Sequence, residues 1–337
     1  MSLDDKTELK INSNCYQPEG FIGEGSSHYV FLVRTSAAFP PSFPHKPFFA
    51  SGKTFDWTLK ALKFPKEKCE QLSSRTIAED PSYDPSSASK RYTRILKKLC
   101  NSQKFPGSQN IIKYFDVVDC KLNERQASCL VEEYLTYPIN LEDLINLPFN
   151  LLESKAEQHI FDELLQGVKF LHKRDIVHRD LHPGNILISR LGRFYYTFND
   201  PRDFDKYVEG DTDDCFGLDV KITDFELAKE IGSEEQVISG SRLIQPPEQL
   251  PEIQTEIYAV GTLLYRLIKK KYPYPIKQTK NERGFHEVDY SAKVDLEGTP
   301  YLLKRIISNA LLLKDPSFDI AYDCMDDLIE DYNLAIF

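Results

Sequence analysis

The chain has 337 residues, enough for one large core or two modest ones. Its 41% hydrophobic and 28% charged content is that of an ordinary globular protein. With 42 Lys and Arg against 52 Asp and Glu, the formal net charge is −10, which argues against a nucleic-acid partner and suits a basic protein or peptide better. The seven cysteines are odd in number, scattered, and without a Cys-x-x-Cys pair, so neither a disulfide framework nor a zinc site is expected. The start, Met1-Ser2-Leu3-Asp4-Asp5-Lys6, lacks the apolar run of a signal peptide, and no stretch is long and apolar enough to span a membrane. A cytoplasmic or nuclear location is therefore expected, although export by a dedicated secretion machine would leave no mark of this kind.

Residues 16–34 read as two strands around a glycine turn, followed by a Pro-, Phe- and Ser-rich loop over 36–56. A short strand is expected at 58–64, an irregular polar stretch at 65–85, and a helix from about Ser87 to Leu99 with Ile95, Leu96 and Leu99 on one face. Two further strands are expected at 111–118 and 128–134. After residue 135 the pattern turns helical. Apolar residues recur at helical spacing in 156–172, again from Ile257 to Leu267, and again from Leu302 to Leu311.

The most informative run is Val177-His178-Arg179-Asp180-Leu181-His182-Pro183-Gly184-Asn185-Ile186-Leu187-Ile188. It sets an Asp five residues before an Asn in a tight polar loop, with an apolar strand-like run behind. An Asp so placed can accept a proton from an attacking hydroxyl. An Asn carbonyl can hold a metal that bridges nucleotide phosphates. Upstream, Ile22-Gly23-Glu24-Gly25-Ser26-Ser27-His28-Tyr29-Val30 sets two glycines between strands, where backbone N–H groups can approach phosphate oxygens.

Together with Ala61-Leu62-Lys63, Lys221-Ile222-Thr223-Asp224-Phe225-Glu226 and Gly240-Ser241-Arg242-Leu243-Ile244-Gln245-Pro246-Pro247-Glu248, these motifs resemble the protein kinase superfamily over almost the whole chain. The resemblance implies an α+β, bilobal fold: a small β-rich lobe with one main helix (1–132), a hinge (133–137), and a larger helical lobe (138–337). It implies ATP and Mg2+ as cofactors. Asp180 would be the catalytic base, with Lys63 and His182 completing the catalytic set, and Asn185 and Asp224 would be metal ligands. The nucleotide would be held by Ile22, Gly23, Gly25, Val30, Ala61, Lys63, Glu133, Leu135 and Leu187. Phe225 would join an apolar column with His178, Tyr114 and Leu96, and Arg179 would reach the activation segment.

Several positions depart from the family pattern. His28 stands for the third glycine, Glu226 for the glycine after Asp224-Phe225, and His182 for a lysine, so that its help to the transferring phosphate would be weaker and pH-dependent. Segment 86–101 has no acidic residue, and Tyr92 falls where the family's helix carries the glutamate that pairs with the lysine. Glu79 or Glu70 could substitute from the preceding loop. Glu132 falls at the residue guarding the rear of the nucleotide pocket. A carboxylate there needs a partner, with Lys63 and Tyr92 the candidates. Glu256 replaces an Asp, and Asp319 an Arg that would pair with Glu248, so the large lobe is expected to be braced differently. The place of an activating phosphorylation falls near Val237; Glu234 or Glu235 could supply that charge to Arg179 instead, with Ser233 and Ser239 as alternatives.

Asn185 and Asp224 are 39 residues apart, which implies an insertion over about 190–218. Residues 199–219 hold eight carboxylates and two basic side chains, a solvated acidic loop or a docking site for a basic partner. The His-Arg-Asp-Leu-His-x-Gly-Asn form with a long insert is faintly similar to haspin-type kinases. The expected activity is transfer of the ATP γ-phosphate to Ser or Thr hydroxyls of a protein. A pseudokinase scaffold and a small-molecule phosphotransferase are the alternatives.

Overall fold

The computed structural model describes residues 9–12, 15–24, 28–35, 59–65, 85–100, 105–135, 138–146, 155–190, 218–234, 240–280, 286–313 and 321–336. Gly25, the 36–56 loop, Glu70, Glu79, positions 136–137, the interior of the acidic insertion, Glu235, Val237, Ser239 and Asp319 lie outside them.

The N-terminal part is a six-stranded antiparallel sheet. Its strands are β1 (Leu9–Ile11), β2 (Tyr16–Glu24), β3 (His28–Thr35), β4 (Leu59–Pro65), β5 (Tyr114–Leu122) and β6 (Arg125–Glu133), in the order β1-β5-β6-β4-β3-β2. Alternation along the central strands divides their side chains. Phe31, Val33, Leu62, Phe64, Cys129 and Val131 point into a core of the sheet's own, while Ala61, Lys63 and Glu132 face the other way. The sequence-expected strands at 111–118 and 128–134 are longer than anticipated and joined by a tight turn at Asn123, which has positive φ.

The helix α1 (Pro85–Cys100) follows β4. Its apolar stripe of Ile95, Leu96 and Leu99 enters the large core of the C-terminal part rather than that of the sheet. It is also tied there by charge: Arg94 Nε lies 2.7 Å and Lys98 Nζ 2.6 Å from the Glu230 carboxylate.

The C-terminal part is mostly helical. It contains α2 (Leu141–Ile145), α3 (Lys155–His172), α4 (Glu252–Lys269), α5 (Tyr301–Ala310) and α6 (Met325–Ile336). The short strands β7 (Ile139–Asn140), β9 (Ile186–Arg190) and β10 (Leu218–Ile222) form a small sheet in the order β10-β9-β7. β8 (Ile176–Val177) pairs with β11 (Lys229–Glu230), and β12 (Ile276–Lys280) with β13 (His286–Val288). The apolar stripes of α3, α4 and α5 pack as their spacing predicts, and Phe161, Leu164, Val260, Leu263, Ile306 and Ile307 are all buried. No helix of the described residues is long and apolar enough to cross a membrane.

Candidate active site

The cleft between the sheet and the helical part gathers most of the residues singled out in the sequence. On its upper side, Gly23 pairs with Val30 across the β2–β3 hairpin, and a methyl on Gly23 would meet open space. Ile22 is exposed beside it and Val30 half-buried. Ala61 and Lys63 lie on the cleft face of β4, opposite Glu132 and Leu130 of β6. Where β6 ends, the Glu133 N–H donates to Lys113 O at 2.8 Å, and Leu135 is buried. On the lower side, Leu187 of β9 faces Lys221 of β10 and Asn140 of β7 in the small sheet.

Lys63 has found the partner that its following helix cannot supply. Its Nζ lies 3.0 Å from Glu132 Oε1 and donates to Thr223 Oγ1 at 3.3 Å. Burial alone would lower the Lys63 ammonium, but Glu132, with Asp224 and Glu226, outweighs it and holds the group above its ordinary range. Burial lifts the Glu132 carboxyl, and Lys63 opposes that lift. The sequence-stated need of a buried Glu132 for a donor is thus met by Lys63.

The loop 178–185 is built on its backbone. Arg179 has φ 68° and Asp224 φ 65°, left-handed conformations that side-chain-bearing residues adopt at a cost and that recur at functional sites. His178 Nε2–H donates to Thr223 O at 2.9 Å, and its Nδ1 accepts the Asp180 N–H at 3.3 Å. Asn185 donates its amide to Asp180 O at 2.9 Å, and Thr223 N–H donates to Asn185 O at 3.0 Å. Thr223, which carried no signal in the sequence, therefore touches Lys63, His178 and Asn185 at once. It could not be read because two of these three contacts use its backbone.

Around the Asp180 carboxylate, Oδ1 accepts the Ser241 N–H at 2.8 Å. This contact runs through the Ser241 backbone. Oδ2 lies 3.5 Å from Asn185 Nδ2 and 3.7 Å from His182 Nε2. His182 Nδ1 accepts the Gly184 N–H at 3.1 Å, so the neutral ring carries its proton on Nε2, toward Asp180. His182 can thus donate a hydrogen bond through Nε2 without being charged.

The residues present fit Mg2+ held together with phosphates. The Asn185 amide nitrogen is committed to Asp180 O, which leaves the Asn185 carbonyl as a neutral oxygen donor. No hydrogen bond or ion pair among the described residues engages the Asp224 carboxylate, and a hard cation prefers such oxygens. Among the described residues no group of three or more His, Cys, Asp or Glu side chains forms an all-protein metal cage.

Phe225 stacks edge-on with Tyr114 (6.1 Å between centroids) and against His178 (4.8 Å), within the same core cluster as Leu96. Two departures from the family pattern meet each other: His28 Nε2 lies 3.3 Å from Glu226 Oε1. Desolvation at the mouth of the cleft and the charges of Asp224 and Asp180 push the Glu226 carboxyl up to about 7, an effect that solvent moderates because 46% of the side chain is exposed.

Glu256 of α4 braces the loop 178–185. Its Oε2 accepts the backbone N–H groups of His178 (2.5 Å) and Arg179 (3.1 Å), and its Oε1 lies 3.2 Å from His172 Nε2. Glu248 is exposed, so burial creates no need for a cation beside it. Burial lowers the Arg179 guanidinium from its usual value, and the charges of Glu252 and Glu256 oppose that shift.

A model of the protein kinase domain matches residues 66–318. Among curated proteins, the chain is 26% identical to mitogen-activated protein kinase pmk-1 of Caenorhabditis elegans, over 65% of this chain and 48% of that protein. It is 28% identical to serine/threonine-protein kinase ULK3 of Xenopus laevis, over 51% and 33% of the two chains. It is 27% identical to mitogen-activated protein kinase HOG1 of Hortaea werneckii, over 68% and 54%. The chain thus spans about half or less of the length of these relatives. With a family match over more than half its residues, on a sheet-plus-helical scaffold whose cleft carries Lys63, Asp180, Asn185 and Asp224, the chain belongs to the protein kinase family.

Proposed function

We propose that the chain is an ATP- and Mg2+-dependent protein kinase that phosphorylates Ser or Thr hydroxyls. The observation that carries this reading is the Asp180–Asn185–Thr223–Lys63 chain of contacts, which fixes a carboxylate base, an oxygen donor and an ammonium around one cleft. Residues 1–132 and 138–337 act as the two lobes, and 133–137 as the hinge between them.

Asn185 and Asp224 would hold Mg2+ with the nucleotide phosphates. When bound, the ion neutralises phosphate charge as the γ-phosphoryl group leaves. Ile22, Gly23 and Val30 would cover the nucleotide, Ala61 and Leu187 would pack on its base, and backbone groups of Glu133 and Leu135 would bond its edge. Lys63 places a fixed positive charge against the phosphates. Asp180 Oδ1 is occupied by the Ser241 N–H, so Oδ2 is the atom left to orient the substrate hydroxyl and accept its proton. His182 Nε2–H, beside Oδ2, donates toward the transferring phosphate. Catalysis is then positioning and charge neutralisation rather than covalent chemistry.

The substrate is a protein, with basic segments favoured by the acidic insertion, met in the cytoplasm or nucleus. Purified chain, labelled ATP and generic protein substrates test this reading. Transfer is expected, with a loss of about 10²–10⁴ in kcat for Asp180→Ala. Equal transfer by Asp180→Ala would rule the mechanism out. A scaffold without turnover is the second reading. The Ser241 N–H seated on Asp180 and the His28–Glu226 contact across the cleft mouth favour it. MgATP binding without transfer would select it.

A further inference from the structure

We propose that Glu132 is the positioning residue for Lys63, supplied by the sheet in place of a helix glutamate, so that Lys63 stays poised whether or not α1 moves. This deepens the kinase reading and rests on it only for the consequence to activity.

The pairing is a product of strand register. Ala61 lies opposite Glu132 and Lys63 opposite Leu130, so Lys63 and Glu132 are diagonal neighbours on one face of β4 and β6. Diagonal neighbours on a sheet face are within reach of long side chains, and here the gap closes to 3.0 Å. Both strands are central in the six-stranded sheet, so the backbones that carry the pair keep their register as long as the sheet is intact.

The helix is excluded from this role by its composition and committed elsewhere. No acid occurs in Pro85–Cys100. Arg91 Nη2 donates to Glu226 O at 3.0 Å, Arg94 and Lys98 bind Glu230, and Tyr92 packs against the helical core. These contacts tie α1 to Glu226 and Glu230, and none of them reaches Lys63.

Glu132 has no other evident reason to be charged where it is. Its side chain is 4% exposed, and its Oε2 is buried without a hydrogen-bond partner. A carboxylate kept in so costly a place has Lys63 as its compensation, and a charge maintained against desolvation is characteristic of functional sites. Thr223 Oγ1 takes a second N–H of Lys63, which leaves the third for a phosphate oxygen.

The test uses the full chain with Glu132→Gln, Glu132→Leu and, as a helix control, Arg94→Ala. Three quantities are read: the affinity for a magnesium–ATP analogue by calorimetry, the kcat and KM for transfer, and the rate at which Lys63 is acylated by an amine-reactive reagent, followed by mass spectrometry. Loss of Glu132 is expected to weaken nucleotide binding and lower kcat/KM by roughly tenfold or more, and to speed Lys63 acylation by a similar factor. Arg94→Ala, which loosens α1, is expected to leave Lys63 acylation and nucleotide affinity within about twofold of wild type. Glu132→Leu, which leaves no polar group at the site, stands in if Glu132→Gln does not fold. Unchanged acylation and affinity on loss of Glu132 overturn the proposal. So does tighter binding, since Glu132 would then be withholding Lys63 from phosphate. If nucleotide binding and acylation respond as expected but no variant transfers phosphate, the pairing stands and the kinase reading falls.

Discussion

At the scale of single residues, the Asp180 carboxylate is set by what crowds it. A Cβ added to Gly240 would lie 2.1 Å from Asp180 Oδ1 and 2.6 Å from its Cβ, so position 240 has no room for a side chain beside Asp180. With an alanine there, either Asp180 swings away or the Ser241 N–H lifts off Oδ1, and both displace the carboxylate that would orient the hydroxyl in the proposed reading. Gly240→Ala is therefore expected to cut kcat by about tenfold or more while changing the melting temperature little, a combination that kinetics and calorimetry together resolve. A loss of stability with kcat intact would show that the contact is only packing. His182 Nε2 lies 3.7 Å from the other oxygen, too far for a hydrogen bond, and would donate to the transferring phosphate instead. Removing its donor in His182→Ala is expected to lower kcat by about tenfold with KM nearly unchanged, because the hydrogen bond acts on the transferring group rather than on the bound nucleotide. An increase in KM alone would place His182 in nucleotide binding instead.

At the scale of elements, the helical part depends on a close approach of α4 and α5. Gly261 is buried, and a methyl on it would lie 2.5 Å from Ala310 Cβ. Two methyl groups on helix backbones cannot rotate away from each other, so the helices must separate. Gly261→Ala gains about 1 kcal/mol of helix propensity but is expected to lose about 1–3 kcal/mol in overpacking. Urea denaturation should therefore show net destabilisation, and a more stable variant would show that the helices can shift freely. The elements also show what a sequence can and cannot reveal. The stripes of α3, α4 and α5 were legible because a helix writes its buried face into a local repeat. The strand order β1-β5-β6-β4-β3-β2 was not, because pairing partners are chosen by distant residues. Asp180, Asn185 and Asp224 stood out because they lie in compact runs. Lys63's partner was legible in part, from the missing acid of 86–101 and from the need of Glu132 for a donor, whereas Thr223's junction left no trace because it is made largely of backbone atoms.

At the scale of the whole molecule, one buried carboxylate joins three parts of the helical region. Glu256 of α4 accepts two N–H groups from the catalytic loop and meets His172 at the end of α3. It is 3% exposed. Burial alone would raise its carboxyl above the usual range. The hydrogen bonds from His172 and from the Arg179 N–H outweigh that and hold it below. A depressed carboxyl means that the folded chain holds this proton less tightly than the unfolded chain. Its contribution is therefore fully present above the ordinary value of 4.5 and is lost as pH falls below that, through the folded value. Glu256→Gln keeps the shape but offers one acceptor atom in place of two and no charge, which is expected to cost about 2–4 kcal/mol at pH 7. The other carboxylates titrate in both proteins, so the difference between wild type and variant isolates this group. In urea denaturation that difference should be largest at neutral pH and shrink steadily below about pH 4.5. A difference that stays constant down to acid unfolding would mean that Glu256 braces the catalytic loop by shape alone, with its charge contributing nothing.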